Sequence, residues 1–335
     1  MRSNKLVLLL IALLFLSSCS AAEEKKTVTE PEITYNSISG RVGKDGPILV
    51  VKVDDTSPAR PQIGIEKADL VYIELVEGGS TRLATVFSSE IPQIIGPVRS
   101  ARISDIELLA QFGKVVFAYS GAQRPMYPVI TSANLWDYGA QRSSSTIYYR
   151  DTIRYAPYNL ILNSDRLLEK VASDGREVAQ SKSPGWTFGD KPRGGVPIDS
   201  AIVRWPANKY KVAWSATEKR WLLSIGDVAD LAASGDQLSA TTFVIQNVSI
   251  TNSIFKTKFG TYTPFTQTVG TGTGYVLRDG RSFKANWSRP TAESGTTWTL
   301  ADGSEIKFAP GSIWVALSDR KPEFTLTAPT EPVSK

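Results

Sequence analysis

Residues 69–89 read DLVYIELVEGGSTRLATVFSS. Two β-prone runs, 69–77 and 80–89, flank Gly78-Gly79, the signature of an antiparallel hairpin closed by a glycine turn. An early hairpin argues against a purely parallel sheet. If Gly78-Gly79 are the turn, Glu77 faces Ser80 and Leu75 faces Arg82. Arg82 then sits diagonal to Glu77, and the two are expected to form a structural ion pair. Alternation places Glu74 on the opposite face with Leu70, Tyr72 and Val76, so Glu74 and Glu77 make no acid dyad.

Working outward, PILVVKVDD (47–55) reads as a buried strand before the hairpin. In SARISDIELLAQFG (100–113) apolar residues at 103, 106, 109, 110 and 112 predict a helix closed by Gly113. KVVFAYS returns as a strand, and YNLILNSDRLLEKVAS gives a strand and then a helix with Ser164 as its cap. SKSPGWTFGDKPRGGVPID (181–199) is rich in Gly, Pro and Ser and marks a boundary. Beyond it come short β-prone runs with turns at Asp279-Gly280 and Asp302-Gly303, and at most a short helix near 227–233. TVGTGTGYV (268–276) fits neither the dinucleotide nor the phosphate-loop pattern and reads as a flexible approach to a strand. Six of the eight tryptophans, 205, 214, 221, 287, 298 and 314, fall in these runs, where alternating strands favour a core role over an exposed sugar-binding one. The fold class expected is α+β, an N-terminal mixed α/β domain with an early β-hairpin followed by a mostly antiparallel β domain. The expected parts are 43–178, a linker 179–195, 196–325, and a flexible tail 326–335.

The first residues, MRSNKLVLLLIALLFLSSCSAAEEKK, place Arg2 and Lys5 before an apolar run from Leu6 to Leu16 and a Leu-Ser-Ser-Cys box. That order predicts a lipoprotein signal peptide over 1–18, acylation of Cys19 and a polar tether over 19–42. The localisation expected is the extracytoplasmic face of the cell membrane, with the lipid bilayer as a partner through Cys19. Loss of Arg2 and Lys5 lowers the formal charge from +5 to +3, and no basic block of nucleic-acid-binding type is present. There is no histidine, and Cys19 is the one cysteine. His-dependent triads, cysteine nucleophiles and ordinary zinc sites are thereby excluded. Carboxylate chemistry, a Ser-Lys pair, a hard cation on oxygen ligands, or binding without reaction remain.

The stretches ARPQIGIEKADLVYIELVEGGSTRLATVF, IGPVRSARISDIEL, YRDTIRYAPYNLI, DGRSFKANWSR and ADGSEIKFAPGSIWVAL together resemble the YerB-like bacterial lipoproteins over most of residues 45–320. The resemblance implies a two-part architecture, an envelope location and no established enzymatic activity. It also implies histidines at two positions where this chain has Tyr119 and Tyr158. A ring with a hydrogen-bonding tip suits packing there far better than proton transfer.

Arg99 and Arg102, three apart at the head of the predicted helix, oppose its dipole unless Asp105 and Glu107 compensate. They read either as internal salt-bridge partners, with Glu74 among the candidates, or as an anion site. Arg150, Asp151, Arg154 and Asn159 form a polar cluster that would line the same cleft or be a charged surface loop. The leading expectation is a non-enzymatic envelope binding or regulatory module for an envelope protein or an anionic cell-wall polymer, needing neither cofactor nor metal. The rivals are a wall-glycan or peptide enzyme using Asp54, Asp55 or Glu74, and a structural spacer.

Overall fold

Valine, isoleucine and leucine crowd the strands around the hairpin, and both faces of those strands are buried. The computed structural model describes residues 33–328, so the expected signal peptide, Cys19, most of the tether and the end of the tail lie outside the described residues. Strands β1 (Leu49–Asp54), β2 (Leu70–Leu75) and β3 (Thr81–Phe87) are buried almost throughout. Two-sided burial is the mark of strands in the middle of a sheet. Next in the chain come α1 (Ile103–Ala110), β4 (Val115–Ala118), α2 (Tyr127–Ser132), β5 (Leu135–Asp137) and α3 (Ser164–Ser173).

The later residues supply β6 (Val196–Trp205), β7 (Asn208–Ser215), β8 (Arg220–Ile225), β9 (Thr242–Asn247), β10 (Ser249–Lys256), β11 (Tyr262–Gln267), β12 (Gly270–Arg278), β13 (Arg281–Arg289) and β14 (Ile313–Ser318). The molecule is β-rich, and one mixed sheet runs β8-β7-β6-β13-β12-β9-β14-β2-β3-β1-β4-β5. Where the sequence suggested a joint at 179–195, this sheet continues across it. Strand β14 is inserted between β2 and β9 and runs parallel to both, with Trp314 opposite Val71 on one side and Phe243 on the other.

Alternation splits the core into two layers. Val51, Val53, Val71, Ile73, Leu83 and Trp314 pack on one face with Trp205, Tyr210 and Trp221. On the other, Val50, Tyr72, Ala84 and Val315 meet Leu108 and Phe112 of the helix segment, and Trp298. Of the six tryptophans assigned to the core, Trp214 is partly buried against Trp221 and the other five are buried.

Three local expectations are corrected. The hairpin loop spans Glu77–Gly79, with Gly78 and Gly79 both at positive φ and Val76 N–H bonded to Ser80 O at 2.8 Å. The register is therefore Glu74 opposite Arg82 and Leu75 opposite Thr81, one residue from the two-glycine turn. A slip of one residue turns a side chain to the other face. Residues 228–229 form a short strand rather than a helix. Finally, residues 270–278 are strand β12 itself, not a flexible approach. A Cβ on Gly272 would lie 2.6 Å from the Trp287 indole nitrogen, and one on Gly274 would lie 2.3 Å from Ile245 O. The glycines are there so that tryptophans and a neighbouring backbone can approach.

Candidate functional site

Two cross-strand rows build the site at one end of β1, β2 and β3. Asp54, Arg82 and Glu74 face one another across β1, β3 and β2, and Lys52, Ala84 and Tyr72 form the next row. Direct cross-strand neighbours share a face, so Arg82 stands between two carboxylates. Neither neutralises it. Lys52 Nζ, fully buried, reaches Glu74 Oε1 at 2.7 Å and Asp105 Oδ1 at 2.6 Å. Asp54 Oδ2 lies 2.8 Å from Arg99 Nε. Arg82 is left with one hydrogen bond, Nη1 donating to Ser100 O at 2.9 Å. Among the described residues it has no carboxylate partner, although it is only 8% exposed. Burial pulls its pKa down, and Arg102 and Arg99 pull it further. A guanidinium does not give up its proton under ordinary conditions, so this is a charge held without an ion partner.

Asp105 has a second task. It accepts the Arg102 backbone N–H at 2.5 Å and so caps α1, which begins at Ile103 with Arg102 as its N-cap rather than near Ser100. Glu107 is used elsewhere. Its Oε1 accepts the backbone N–H groups of Thr268 at 2.7 Å and Val269 at 3.0 Å, and Ser104 Oγ accepts that of Thr266 at 2.9 Å. These bonds clasp the β10–β11 hairpin, which pairs with no other strand, onto α1.

The clasp carries Lys256 and Lys258 of the hairpin tip to the rim of a cleft of about 970 Å³. Arg82, Arg99, Arg102 and Arg124 line it as well, against a single acid, Glu77. Pro125, Pro157 and Phe259 form apolar walls, with Phe259 83% exposed. Glu77 does not pair with Arg82 as the sequence suggested. Its Oε2 takes Arg102 Nε at 2.7 Å and Nη2 at 2.6 Å, and its Oε1 accepts from Thr263 and Gln123. Burial pushes the Glu77 pKa up, but Arg102 and Thr263 outweigh it and the net shift is downward. The one-residue change of register is what separated Glu77 from Arg82.

Of the residues singled out from sequence, Arg99 and Arg102 reach the cleft, and each also pairs with a carboxylate. Glu74 lies beneath it, 1% exposed, tied to Lys52. Burial pushes the Glu74 pKa up despite Lys52, and Asp105 adds to the shift. Arg150, Asp151, Arg154 and Asn159 do not line the cleft. They bond among themselves, Arg150 to Asn159 at 2.6 Å and Arg154 to Asp151 at 2.6 Å, and Arg154 also donates to Pro61 O at 2.8 Å. This knot shapes the loop that offers Pro157 to the wall and Tyr158 to Arg99, whose guanidinium lies 5.5 Å from the ring centroid. Tyr119, the other position where histidine was implied, is buried and donates to Asp137 at 2.7 Å. The sequence reading missed Arg124, Lys256 and Lys258. FKTKF carries lysines at the last residue of a strand and in the turn after it, a local signal, but nothing local says which cleft they reach.

The carboxylates considered for acid–base work are separated. Asp54 and Asp55 are consecutive strand-end residues committed to different partners. Asp55 is held by Arg60, Thr81, Asn208 and Tyr210. Neither Asp54 nor Glu74 lines the cleft. Among the described residues, no group of three or more acidic side chains gathers as a cation site, and no helix is long and apolar enough to cross a membrane.

This fold, two sequence parts sharing one sheet with a basic cleft at the strand ends, belongs to a defined family. Residues 35–177 match the N-terminal domain and residues 201–315 the C-terminal domain of the family described as "Protein of unknown function (DUF3048)", and the chain is a member of it. Its curated relative "Putative lipoprotein YerB" of Bacillus subtilis (strain 168) is 28% identical over 144 residues, 43% of this chain and 43% of the relative's own length. The crystal structure of the Bacillus subtilis YerB protein superimposes with a TM-score of 0.73 over 87% of this chain and 99% of that one, at 19% identity. At that identity the likeness speaks for the fold alone.

Proposed function

We propose that this member of a lipoprotein family is a non-enzymatic envelope module, anchored through Cys19, that receives an anionic component of the cell wall in the cleft. In this reading residues 43–178 carry the site, 179–195 are the joint, and 196–325 complete the site by delivering the β10–β11 hairpin. The observation that carries the reading is the cleft's charge, six cations against Glu77. Arg99 and Arg102 are balanced by Asp54 and Glu77. Arg82, Arg124, Lys256 and Lys258 have no carboxylate partner among the described residues. Carboxylate catalysis is less well supported, since the acids considered for it are bonded to Lys52, Arg99 and Arg60.

The first described residues are pinned away from the cleft. Ser39 bonds to Asp69 at 2.6 Å, next to the first residue of β2, whereas Arg82 lies opposite Glu74 near its last. At about 3.3 Å per residue the N-terminal segment and the cleft are at opposite ends of the same strands.

The test uses the full chain in detergent and isolated cell walls. The triple variant Arg124→Gln, Lys256→Gln, Lys258→Gln is expected to keep its melting temperature, since those side chains hold no ion pair, and to lose about tenfold or more in wall binding. Added salt should weaken the native complex in the same way. Undiminished binding by the triple variant would remove this reading.

A further inference from the structure

Arg82 carries a more specific statement about the ligand. Its guanidinium has five N–H donors, yet one is used, on Ser100 O. Both carboxylates beside it in the sheet are bonded elsewhere, to Lys52 and to Arg99. It is nine-tenths buried and it lines the cleft. A polar group so placed, with its donors unspent, is costly to keep unless something fills the position. We infer that the cleft binds a phosphate ester, specifically a polyol or sugar phosphodiester chain, with Arg82 as the residue that selects a phosphoryl oxyanion over a carboxylate. The inference rests on the anionic reading above and names its chemistry.

Three features point to a phosphate-bearing chain, the first to phosphate and the other two to a chain. The first is direction. Arg82 comes from strand β3, while Arg99 and Arg102 come from the segment leading into α1, so the guanidinium groups converge from two elements. A carboxylate has two coplanar oxygens that one guanidinium fork satisfies. A tetrahedral phosphoryl group offers oxygens in several directions and can be shared between forks. The second is the amount of charge. Four cations in the cleft have no carboxylate partner among the described residues, and they run from Arg82 at the floor to Lys256 and Lys258 on the hairpin. One carboxylate leaves most of that uncompensated, whereas a chain with a charge on every repeat matches it.

The third is the wall. A cleft of about 970 Å³ flanked by Pro125, Pro157 and Phe259 is far larger than inorganic phosphate needs. The apolar surface suits the carbon skeleton between phosphates. Like-charge crowding supports the same conclusion, since Arg102 and Arg99 act to lower the Arg82 pKa against the opposite pull of Glu77 and Asp54, and an incoming anionic phosphodiester would relieve that repulsion.

The experiment measures the affinity of the full chain in detergent for poly(glycerol phosphate), for polyglutamate of matched charge, and for vesicles containing phosphatidylglycerol. Arg82→Lys, which keeps the charge and removes the fork, is compared with wild type. Melting temperature serves as the control for folding. The expected result is that poly(glycerol phosphate) binds about tenfold or more tightly than polyglutamate, and that Arg82→Lys loses about that factor for the phosphate polymer alone. Equal affinity for the two polymers, or an Arg82→Lys protein that still prefers phosphate, overturns the assignment of Arg82. Those outcomes leave the anionic reading standing, because that reading fails only if the outer-cation triple variant binds walls as wild type does. Vesicles that bind more tightly than the polymer, through Arg82, overturn the choice of a wall chain as the source of the phosphodiester.

Discussion

Two buried polar clusters sit back to back where β1 and β3 meet, and adjacent residues feed them. Asp54 and Arg82 belong to the cluster at the floor of the cleft, while Asp55 and Thr81 belong to a cluster on the other face that joins the two halves of the chain. In the second cluster every charged side chain has an ionic partner, two carboxylates sharing one guanidinium. Arg60 pairs with both Asp55 and Asp230, the latter at 3.0 Å, while Tyr210 and Asn208 reach Asp55 at 2.7 and 3.0 Å. The first cluster has similar residues at similar depth, but Arg82 is left with one backbone oxygen. A satisfied buried network holds a structure together, whereas one with unspent donors can accept a ligand. On the proposed reading the Asp55 side of the sheet serves stability and the Arg82 side serves binding.

The largest effect expected from this contrast is on the closed side. Burial raises the Asp55 pKa against the opposing pull of Arg60. Four residues from both halves converge on its carboxylate. Asp55→Ala leaves Arg60 with Asp230 alone and removes the acceptor for Tyr210, at a cost of about 3–5 kcal/mol. A fall in the denaturation midpoint much smaller than that, measured by urea titration, would mean that the Asp55 cluster is as dispensable as a surface pair and would erase the contrast.

How much of this was legible beforehand depended on the range of the interactions. The hairpin, the buried strands and α1 rest on period and on glycine, which are local, and they were read correctly to within a few residues. The Glu77–Arg82 pair failed because the loop holds three residues rather than two, closed by the Val76 N–H to Ser80 O bond, and two consecutive glycines fit either loop length. Arg99 and Arg102 were left open between salt bridges and an anion site; each has a carboxylate partner and also lines the cleft. Lys256 and Lys258 could not be placed, because their position follows from Glu107 and Ser104 holding a hairpin more than 150 positions away in sequence. The glycines of β12 were misread for the same reason, since the tryptophan that needs Gly272 is on another strand.

A smaller effect concerns pH and the floor of the cleft. Glu74, Lys52 and Asp105 place two carboxylates on one ammonium group. Burial is the main cause of the raised Glu74 pKa. In the unfolded chain Glu74 ionises near its ordinary 4.5. The folded protein therefore retains a proton that the unfolded chain has already released. Raising the pH above 4.5 then favours unfolding, and stability falls until the folded group has ionised as well. Asp230, raised by burial to about 6, acts in the same direction over a lower range. Glu74→Gln should flatten the fall in melting temperature above pH 6 and lessen it between 4.5 and 6, where Asp230 still contributes. An unchanged profile would show that the triad is fully ionised at neutral pH and that the floor of the cleft carries a net negative charge.

The smallest effect has the opposite sign and bears most directly on the comparison. Residues that serve a fold stabilise it, whereas a residue kept for a ligand can be a burden when the ligand is absent. Arg82 is buried, is repelled by Arg99 and Arg102, and gives up one backbone hydrogen bond if it is replaced. Methionine has comparable length and no charge to desolvate. Arg82→Met should therefore raise the stability of the ligand-free protein by about 1 kcal/mol, read as a higher urea midpoint with an unchanged slope. The same substitution in the closed network, Arg60→Met, would strand Asp55 and Asp230 and lower the midpoint. Two arginine replacements of opposite sign on the two faces of one sheet would establish the division between holding and binding. If Arg82→Met instead destabilises as Arg60→Met does, then Arg82 is part of the scaffold, and the donors it leaves unspent are not a measure of what the cleft was built to receive.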